Sequence, residues 1–378
     1  MSTRAPEAFA HRPPLTLQLR RRLELPGVMS WVVIALVPSV AMGLWNTGHQ
    51  ARVAIARLGA QAPPDWRLAM LEGLGLGLAE GGVLSEIVHG ALYVAPLLFV
   101  AAVLAYAWEY LFARARHRLM GPGTLVTVLI FTLLLPPATP LWQCGLGISF
   151  AMVFGKLIFG GTGRNFLNPA LTGLAFLYFS FPTHMVGDPM WPLIAGYAGT
   201  TAYAIAAEGG MSALAAAGFT WWDAFLGRVP GLLGQTSVLA ALIGAAVLIS
   251  RRIASWRIMA GVLVGATAMG LVFNSAQLGA HSAFTVPWHW HLVLGGVAFG
   301  AVFVATDPVS APMTDPGRWI YGVLIGVAVV VIRLVNPAHP DGVLLAVLLG
   351  NLCAPLIDHF TIRLHARKHA YRRSGSGA

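Results

Sequence analysis

Residues 123–137 read GTLVTVLIFTLLLPP. The run from Gly123 to Leu135 is apolar enough for a membrane interior, but Pro136 and Pro137 stop it after thirteen residues. Proline lacks the N–H that would continue the helix and clashes with the preceding turn. A helix of that length spans only about 20 Å of a hydrocarbon core about 30 Å thick. Its last carbonyls therefore end at membrane depth, which is tolerated only where protein or a wet cavity surrounds them. The stretch predicts a broken helix inside a multi-helix bundle. A second apolar run ends in the same way at Thr306, stopped by Asp307-Pro308.

The rest of the chain agrees with a membrane interior. It has 378 residues, 57% hydrophobic and only 10% charged, with a mean hydropathy of +0.72. A soluble domain carries about 25% charge, so this chain cannot cover a water-facing surface. The net charge of +10 does not point to nucleic acid, because no basic stripe alternates with aromatics. Most of the basic residues instead fall between apolar runs in a pattern that places both termini in the cytoplasm. Cys144 and Cys353 lie in apolar runs without CxxC spacing and read as small buried hydrophobes. The polar start predicts no cleaved leader.

Apolar runs predict an all-α polytopic protein of ten spans, at about 28–45, 87–112, 123–136, 140–159, 168–181, 236–250, 256–274, 289–306, 319–335 and 342–357. LNPALTG (167–173) and VNPAHPD (335–341) each follow a broken helix and a longer span. This suggests two pseudo-symmetric five-helix halves, an organisation that places an ion or solute path at the repeat interface. The predicted units are a tail over 1–27, a first half over 28–181, an outer loop over 182–235, a second half over 236–357 and a basic tail over 358–378. An ordinary reading of each NPA is also available: asparagine caps a helix and proline suits its first turn.

Acids at span ends default to functional hypotheses. Glu109, Asp307 and Asp358 all fall near the predicted cytoplasmic ends and suit Na⁺ uptake or a proton relay. The competing expectation is local ion pairing: Glu109 with Arg114, Asp307 with Arg318, Asp358 with Arg363. His289 and His291 in PWHWHL (287–292) are expected to anchor at the outer headgroups rather than to hold a metal or haem.

FGGTGRNFLNPALTG (159–173), TWWDAFLGRVPG (220–231), IASWRIMAGV (253–262), PWHWHLVLGG (287–296), ATDPVSAPMTDPGRWIYG (305–322) and RLVNPAHPDGVLLA (333–346) resemble the NqrB/RnfD family. These are the B subunits of Na⁺-translocating NADH:quinone oxidoreductases and their Rnf relatives, and the likeness runs from about residue 28 to about 360. The resemblance implies a bacterial inner-membrane subunit that relays electrons through flavin, coupled to cation transport, and is not catalytic alone. It implies partner subunits, a flavin transferase, ubiquinone and Na⁺ or H⁺. It also implies riboflavin near Gly160, Gly161, Thr162 and Asn165, and a role in sodium handling for Glu109, Asp307 and Asp358. At Ala105-Tyr106 the family has a glycine pair beside the quinone, so Tyr106 is expected to fill that space.

The resemblance further implies an FMN joined through its phosphate to a threonine. The family's motif, Asp-Gly-Tyr-Ser-Gly-Ala-Thr, falls on Ala195-Gly196-Tyr197-Ala198-Gly199-Thr200-Thr201. Thr201 keeps the acceptor hydroxyl, while the acid becomes Ala195 and the serine Ala198. Covalent FMN at Thr201 stands beside a second reading, a small-residue turn whose threonines serve local backbone, and the two lost polar contacts favour the latter slightly. A divergent paralogue, or a solute channel with paired NPA half-helices and no flavin, is the alternative function.

Overall fold

A computed structural model describes residues 15–58, 66–78, 82–185, 201–275, 282–336 and 341–375. Ala195, Ala198 and Thr200 of the threonine loop, residues 337–340 of the second NPA box, and most of the N-terminal tail lie outside them.

The fold is all-α. The first part comprises α1 (Leu15–Leu58), α2 (Trp66–Gly73), α3 (Val83–Ala115), α4 (Thr124–Leu133), α5 (Leu141–Phe150), α6 (Pro169–Ser180) and the short α7 (Pro182–Met185). Next come α8 (Ala202–Ala216) and α9 (Trp221–Leu226), and then α10 (Val238–Ser250), α11 (Trp256–Ser275), α12 (Trp288–Val293), α13 (Val297–Phe299), α14 (Asp315–Val335) and α15 (Val343–Gly375). Both α5 and α13 run on into π-helical turns, Ala151–Leu157 and Gly300–Val304.

Among the described residues, five segments are long and apolar enough to cross a membrane: Pro26–Ala56, Val83–Ala115, Trp256–Ser275, Asp315–Val335 and Val343–Ala366. The apolar helices at Thr124–Leu133, Leu141–Leu157, Pro169–Ser180 and Val238–Ser250 are shorter. One buried core runs through both parts of the chain, from Val32 and Leu97 to Phe303 and Val347.

Glycines set how closely the helices cross. Gly261 and Gly265 of α11 face Gly322 and Val323 of α14, and Gly326 faces the Val262 carbonyl. Two small-xxx-small pairs thus bring two backbones together, the usual solution where lipid supplies no hydrophobic drive between helices.

The double proline acts as the sequence predicts. α4 ends at Leu133, and its free carbonyls do not meet lipid: the Gly234 N–H donates to the Leu133 carbonyl (2.7 Å) and the Leu233 N–H to that of Leu135 (3.2 Å). A loop from the far side of the chain therefore closes the broken helix, which answers the requirement for internal partners.

Asn168 N-caps α6, accepting from the N–H groups of Ala170 (3.0 Å) and Leu171 (3.3 Å), with Pro169 at the first helical position. Asn336 closes α14, its N–H donating to the Ile332 carbonyl (2.8 Å), and the remainder of the second box lies outside the described residues.

Candidate functional site

α3 runs the length of the bundle, about 50 Å at 1.5 Å per residue. Its first turn carries Glu86 and its last turns carry Glu109, and a cavity lies toward each end.

At the Glu86 end, α8 begins with Thr201 as its N-cap. The Thr201 hydroxyl oxygen accepts from the Ala204 N–H (3.2 Å), and the Ala202 N–H donates to the Pro230 carbonyl (3.1 Å). This leaves Thr201 on the wall of a partly open cavity, with Tyr178, Tyr203, Gln235, Thr236 and Asp341 among its neighbours. Asn46 of α1 donates to the carbonyl of Val229, another wall residue (3.0 Å), and so fixes the cavity to this end. Gln235 Oε1 and Thr236 Oγ1 are buried with no hydrogen-bond partner among the described residues. An orphaned carbonyl oxygen and a hydroxyl that can donate or accept call for partners, and they fit a polar heteroaromatic ligand that both donates and accepts.

Beneath that cavity sits Arg333, fully buried. It donates to the carbonyls of Asp341 (2.8 Å), His291 (2.8 Å) and Leu294 (2.9 Å) and to Asp341 Oδ1 (3.3 Å). Its guanidinium lies 4.4 Å from the Tyr203 ring centroid. One side chain thus ties the end of α14, the break after α12, the start of α15 and the first turn of α8. Gly295 permits the break: its φ of +65° and its closeness to Arg333 and Asp341 leave no room for a side chain. Burial pushes the Tyr203 phenol up to about 12, with Arg333 lowering it and Asp341 raising it, so Tyr203 stays neutral.

At the other end, Glu109 is buried. It accepts from the Gly121 N–H (3.0 Å) and the Thr124 hydroxyl (3.2 Å) and pairs with Lys156 (2.9 Å). Lys156 also lines a second, partly open cavity with Thr127, Thr162, Asn165, Asn168 and Asp307. Asp307 accepts from the Val309 N–H (3.2 Å) and the Ser310 hydroxyl (3.0 Å). Asp358 holds the segment before α14, accepting from the N–H groups of Met313 (2.8 Å) and Thr314 (3.1 Å) and from the Thr314 hydroxyl (2.6 Å). Glu109 and Asp307 are therefore joined through Lys156 and one cavity, while Asp358 anchors the far end of the break that begins at Asp307.

These contacts correct the expected local pairs. Glu109 takes Lys156 rather than Arg114, Asp358 takes backbone and Thr314 rather than Arg363, and Arg318 bonds Asp315 (3.1 Å) rather than Asp307. Of the four loop residues singled out, Thr162 and Asn165 reach the cavity wall. Gly160 and Gly161 form the left-handed turn leading to it, with φ of +113° and +95°.

Tyr106 does not fill interior space. It is 41% exposed on the outside of α3, while Ala105 is fully buried. Adjacent helical residues cannot share a face, so only one of the pair can point inward. Of the PWHWHL stretch, Trp290 and His291 are buried within the chain, His289 is half-buried and Trp288 is exposed. No three His, Cys, Asp or Glu side chains among the described residues could hold a metal.

Sequence reasoning misses Lys156 and Arg333 as site residues, because it weighs the basic residues only for orientation. Each stands inside an apolar run, AMVFGKLIF (151–159) and VVVIRLV (329–335), and that is the signal that could have found them. A third group, Glu86 with Arg52 (2.6 Å) and His49 (3.1 Å), has no such signal.

The chain matches the NQR2, RnfD, RnfE family over residues 16–366. It is 46% identical over 376 residues to the B subunit of the Na(+)-translocating NADH-quinone reductase of Stutzerimonas stutzeri, covering 97% of this chain and 93% of that one, with the same figures for its counterpart in Azotobacter vinelandii. The corresponding B subunit of Chromohalobacter salexigens is 48% identical over 357 residues, 94% of this chain and 86% of its own. A broken-helix bundle with buried charges at both ends, matched over nearly its whole length, belongs to the NQR2, RnfD, RnfE family and is a membrane subunit homologous to the B subunits of the Na⁺-translocating NADH-quinone reductases.

Proposed function

We propose that the chain serves an ion-translocating, Na⁺-coupled NADH:quinone oxidoreductase or Rnf-type complex of a bacterial inner membrane. In that complex it passes electrons through flavin while a cation crosses. The observation that carries this reading is the pair of cavities at opposite ends of one bundle: Thr201 with orphaned polar atoms at one end, and Glu109, Lys156 and Asp307 at the other. The chain acts with other subunits and is not catalytic alone. Ten spans in two halves, both termini cytoplasmic, and the unit boundaries given above complete the reading. The Thr201 cavity then faces outward.

Thr201 would hold FMN as a phosphoester. Its oxygen keeps a lone-pair role toward the Ala204 N–H, and its position on the cavity wall leaves the hydroxyl reachable by a flavin transferase. Gln235 would accept from the ring's N–H, the Thr236 hydroxyl would donate or accept, and neutral Tyr203 would supply an apolar wall. Bound there, the flavin supplies one-electron and hydride chemistry. Riboflavin would sit at the opposite cavity against Thr162 and Asn165. Ubiquinone would approach near Ala105 and Tyr106 from the exposed face of α3, and Glu109, Asp307 and Asp358 would mark the ion path.

The test is in-gel flavin fluorescence of the denatured chain after coexpression with a flavin transferase. A fluorescent band is expected, lost in Thr201→Ala and kept in Thr201→Ser. A dark wild-type band, with the transferase active on a control substrate, contradicts covalent attachment.

A further inference from the structure

The surroundings of Glu109 go beyond a lone acid at a span end. Lys156 Nζ lies 2.9 Å from Glu109 Oε2 and 2.9 Å from Thr124 Oγ1. Thr124 Oγ1 itself donates to Glu109 Oε2 (3.2 Å), and the Gly121 N–H is held by Oε1 (3.0 Å). The side chains of Lys156 and Glu109 are only 2% and 5% exposed. An ammonium held between a carboxylate oxygen and a hydroxyl oxygen stands where a small monovalent cation would bind, because both are hard oxygen donors. The ammonium and such an ion carry the same charge and want the same two oxygens, so they exclude each other.

The ammonium also has somewhere to go. Lys156 belongs to the π-helical turn Ala151–Leu157, an irregularity that often marks functional positions. Its side chain borders the cavity whose wall includes Asp307, Thr127, Asn165 and Asn168. Among the described residues Asp307 accepts from the Val309 N–H and the Ser310 hydroxyl, and a carboxylate has room for about four such bonds.

We propose that Lys156 is a tethered counterion that competes with the transported monovalent cation for Glu109. The ammonium occupies the carboxylate when no ion is bound and withdraws into the cavity beside Asp307 when an ion arrives. This rests on the reading of Glu109 as an ion-pathway residue. The exchange keeps a buried carboxylate from ever standing uncompensated, a costly state. It also weakens ion affinity enough for release, and it carries each arrival at Glu109 to Asp307 as a displaced positive charge.

The experiment uses the intact assembled complex. Na⁺ binding is measured directly with ²²Na⁺, beside the Na⁺ half-saturation of NADH-driven quinone reduction, for wild type, Lys156→Met, Lys156→Ala and Glu109→Gln. Removing the competitor should tighten Na⁺ binding by on the order of tenfold or more in both lysine variants, as coupling between close charges of this kind implies. In Lys156→Ala, methylammonium should refill the space and compete with Na⁺ at concentrations that leave wild type unaffected. In wild type, acylation of Lys156, followed by peptide mass, should rise severalfold with Na⁺, with its midpoint at the Na⁺ dissociation constant. This readout survives if the variants fail to assemble.

Unchanged or weaker Na⁺ binding in assembled Lys156→Met, or Lys156 labelling indifferent to Na⁺, overturns the proposal. If Glu109→Gln still weakens binding in that case, the ion-pathway reading stands without the competing lysine. If Glu109→Gln leaves Na⁺ binding untouched, the reading of Glu109 itself falls and the proposal goes with it.

Discussion

Replacing Arg333 by methionine should cost more stability than any other single charge removal among the described residues. The guanidinium is fully buried and donates to three carbonyls and one carboxylate oxygen. Methionine preserves much of the volume but none of the donors. Hydrogen bonds to a charged group are each worth about 1.5–3 kcal/mol, and they do not simply add. The closest measured analogue, removal of one partner from a buried ion pair, costs about 3–5 kcal/mol. That is a large part of the roughly 5–15 kcal/mol that holds a typical domain together. The assay is thermal unfolding in detergent at a fixed scan rate, since membrane proteins often unfold irreversibly. Arg257→Ala is the control, because its pair with Asp315 is 33% and 57% exposed and such a surface pair is worth about 0–1 kcal/mol. Arg333→Met should melt well below Arg257→Ala, and adding Asp341→Asn should recover part of the loss by removing the stranded carboxylate. Arg333→Met melting together with Arg257→Ala would refute the assignment of Arg333 as the tie between the four segments.

Gly265→Leu should disrupt the α11–α14 crossing, since even a Cβ there meets the Val323 backbone. Overpacking typically costs about 1–3 kcal/mol, and size-exclusion profiles in detergent would show it as aggregation or lower yield. Asp358→Asn replaces an acceptor of three donors, at about 1–3 kcal/mol. The segment around residues 305–314 should then be cut faster by protease while the rest of the chain resists. Tyr203 makes a pH prediction. Its folded value near 12 lies above the ordinary value of 10, so its contribution to stability is complete below pH 10 and is lost as pH rises through 12. Tyr203→Phe should flatten that part of the melting-temperature profile between pH 10 and 12, and an unchanged profile would count against its burial.

The sequence made the membrane class and the helix breaks legible for local reasons. Apolar length needs no tertiary knowledge, and Pro136-Pro137 and Asp307-Pro308 stop helices wherever they occur. Glu109, Asp307 and Asp358 stood out as acids beside the same apolar runs. Their partners did not. Pairing each acid with the next arginine along its helix uses proximity in sequence, whereas the partner of Glu109 comes from the π turn after α5 and those of Asp358 from the loop before α14. The NPA boxes were ambiguous for a related reason: Asn168 opens α6 and Asn336 lies at the end of α14, and only the three-dimensional path decides which end an asparagine takes. Arg333 and Lys156 were obscured because a count of basic residues serves only to orient the spans. Burial of a long cation is decided by carbonyls and carboxylates brought in from elsewhere.

Sodium transport by the reconstituted complex tests the central claim most directly. NADH-driven ²²Na⁺ movement across proteoliposomes should be present with the wild-type chain. Glu109→Gln and Asp307→Asn should reduce it severely while the flavin band of the denatured chain is retained. Full transport in both variants, or no redox-driven transport with a wild-type chain that carries its flavin, would contradict an ion path through the Glu109 end of this bundle.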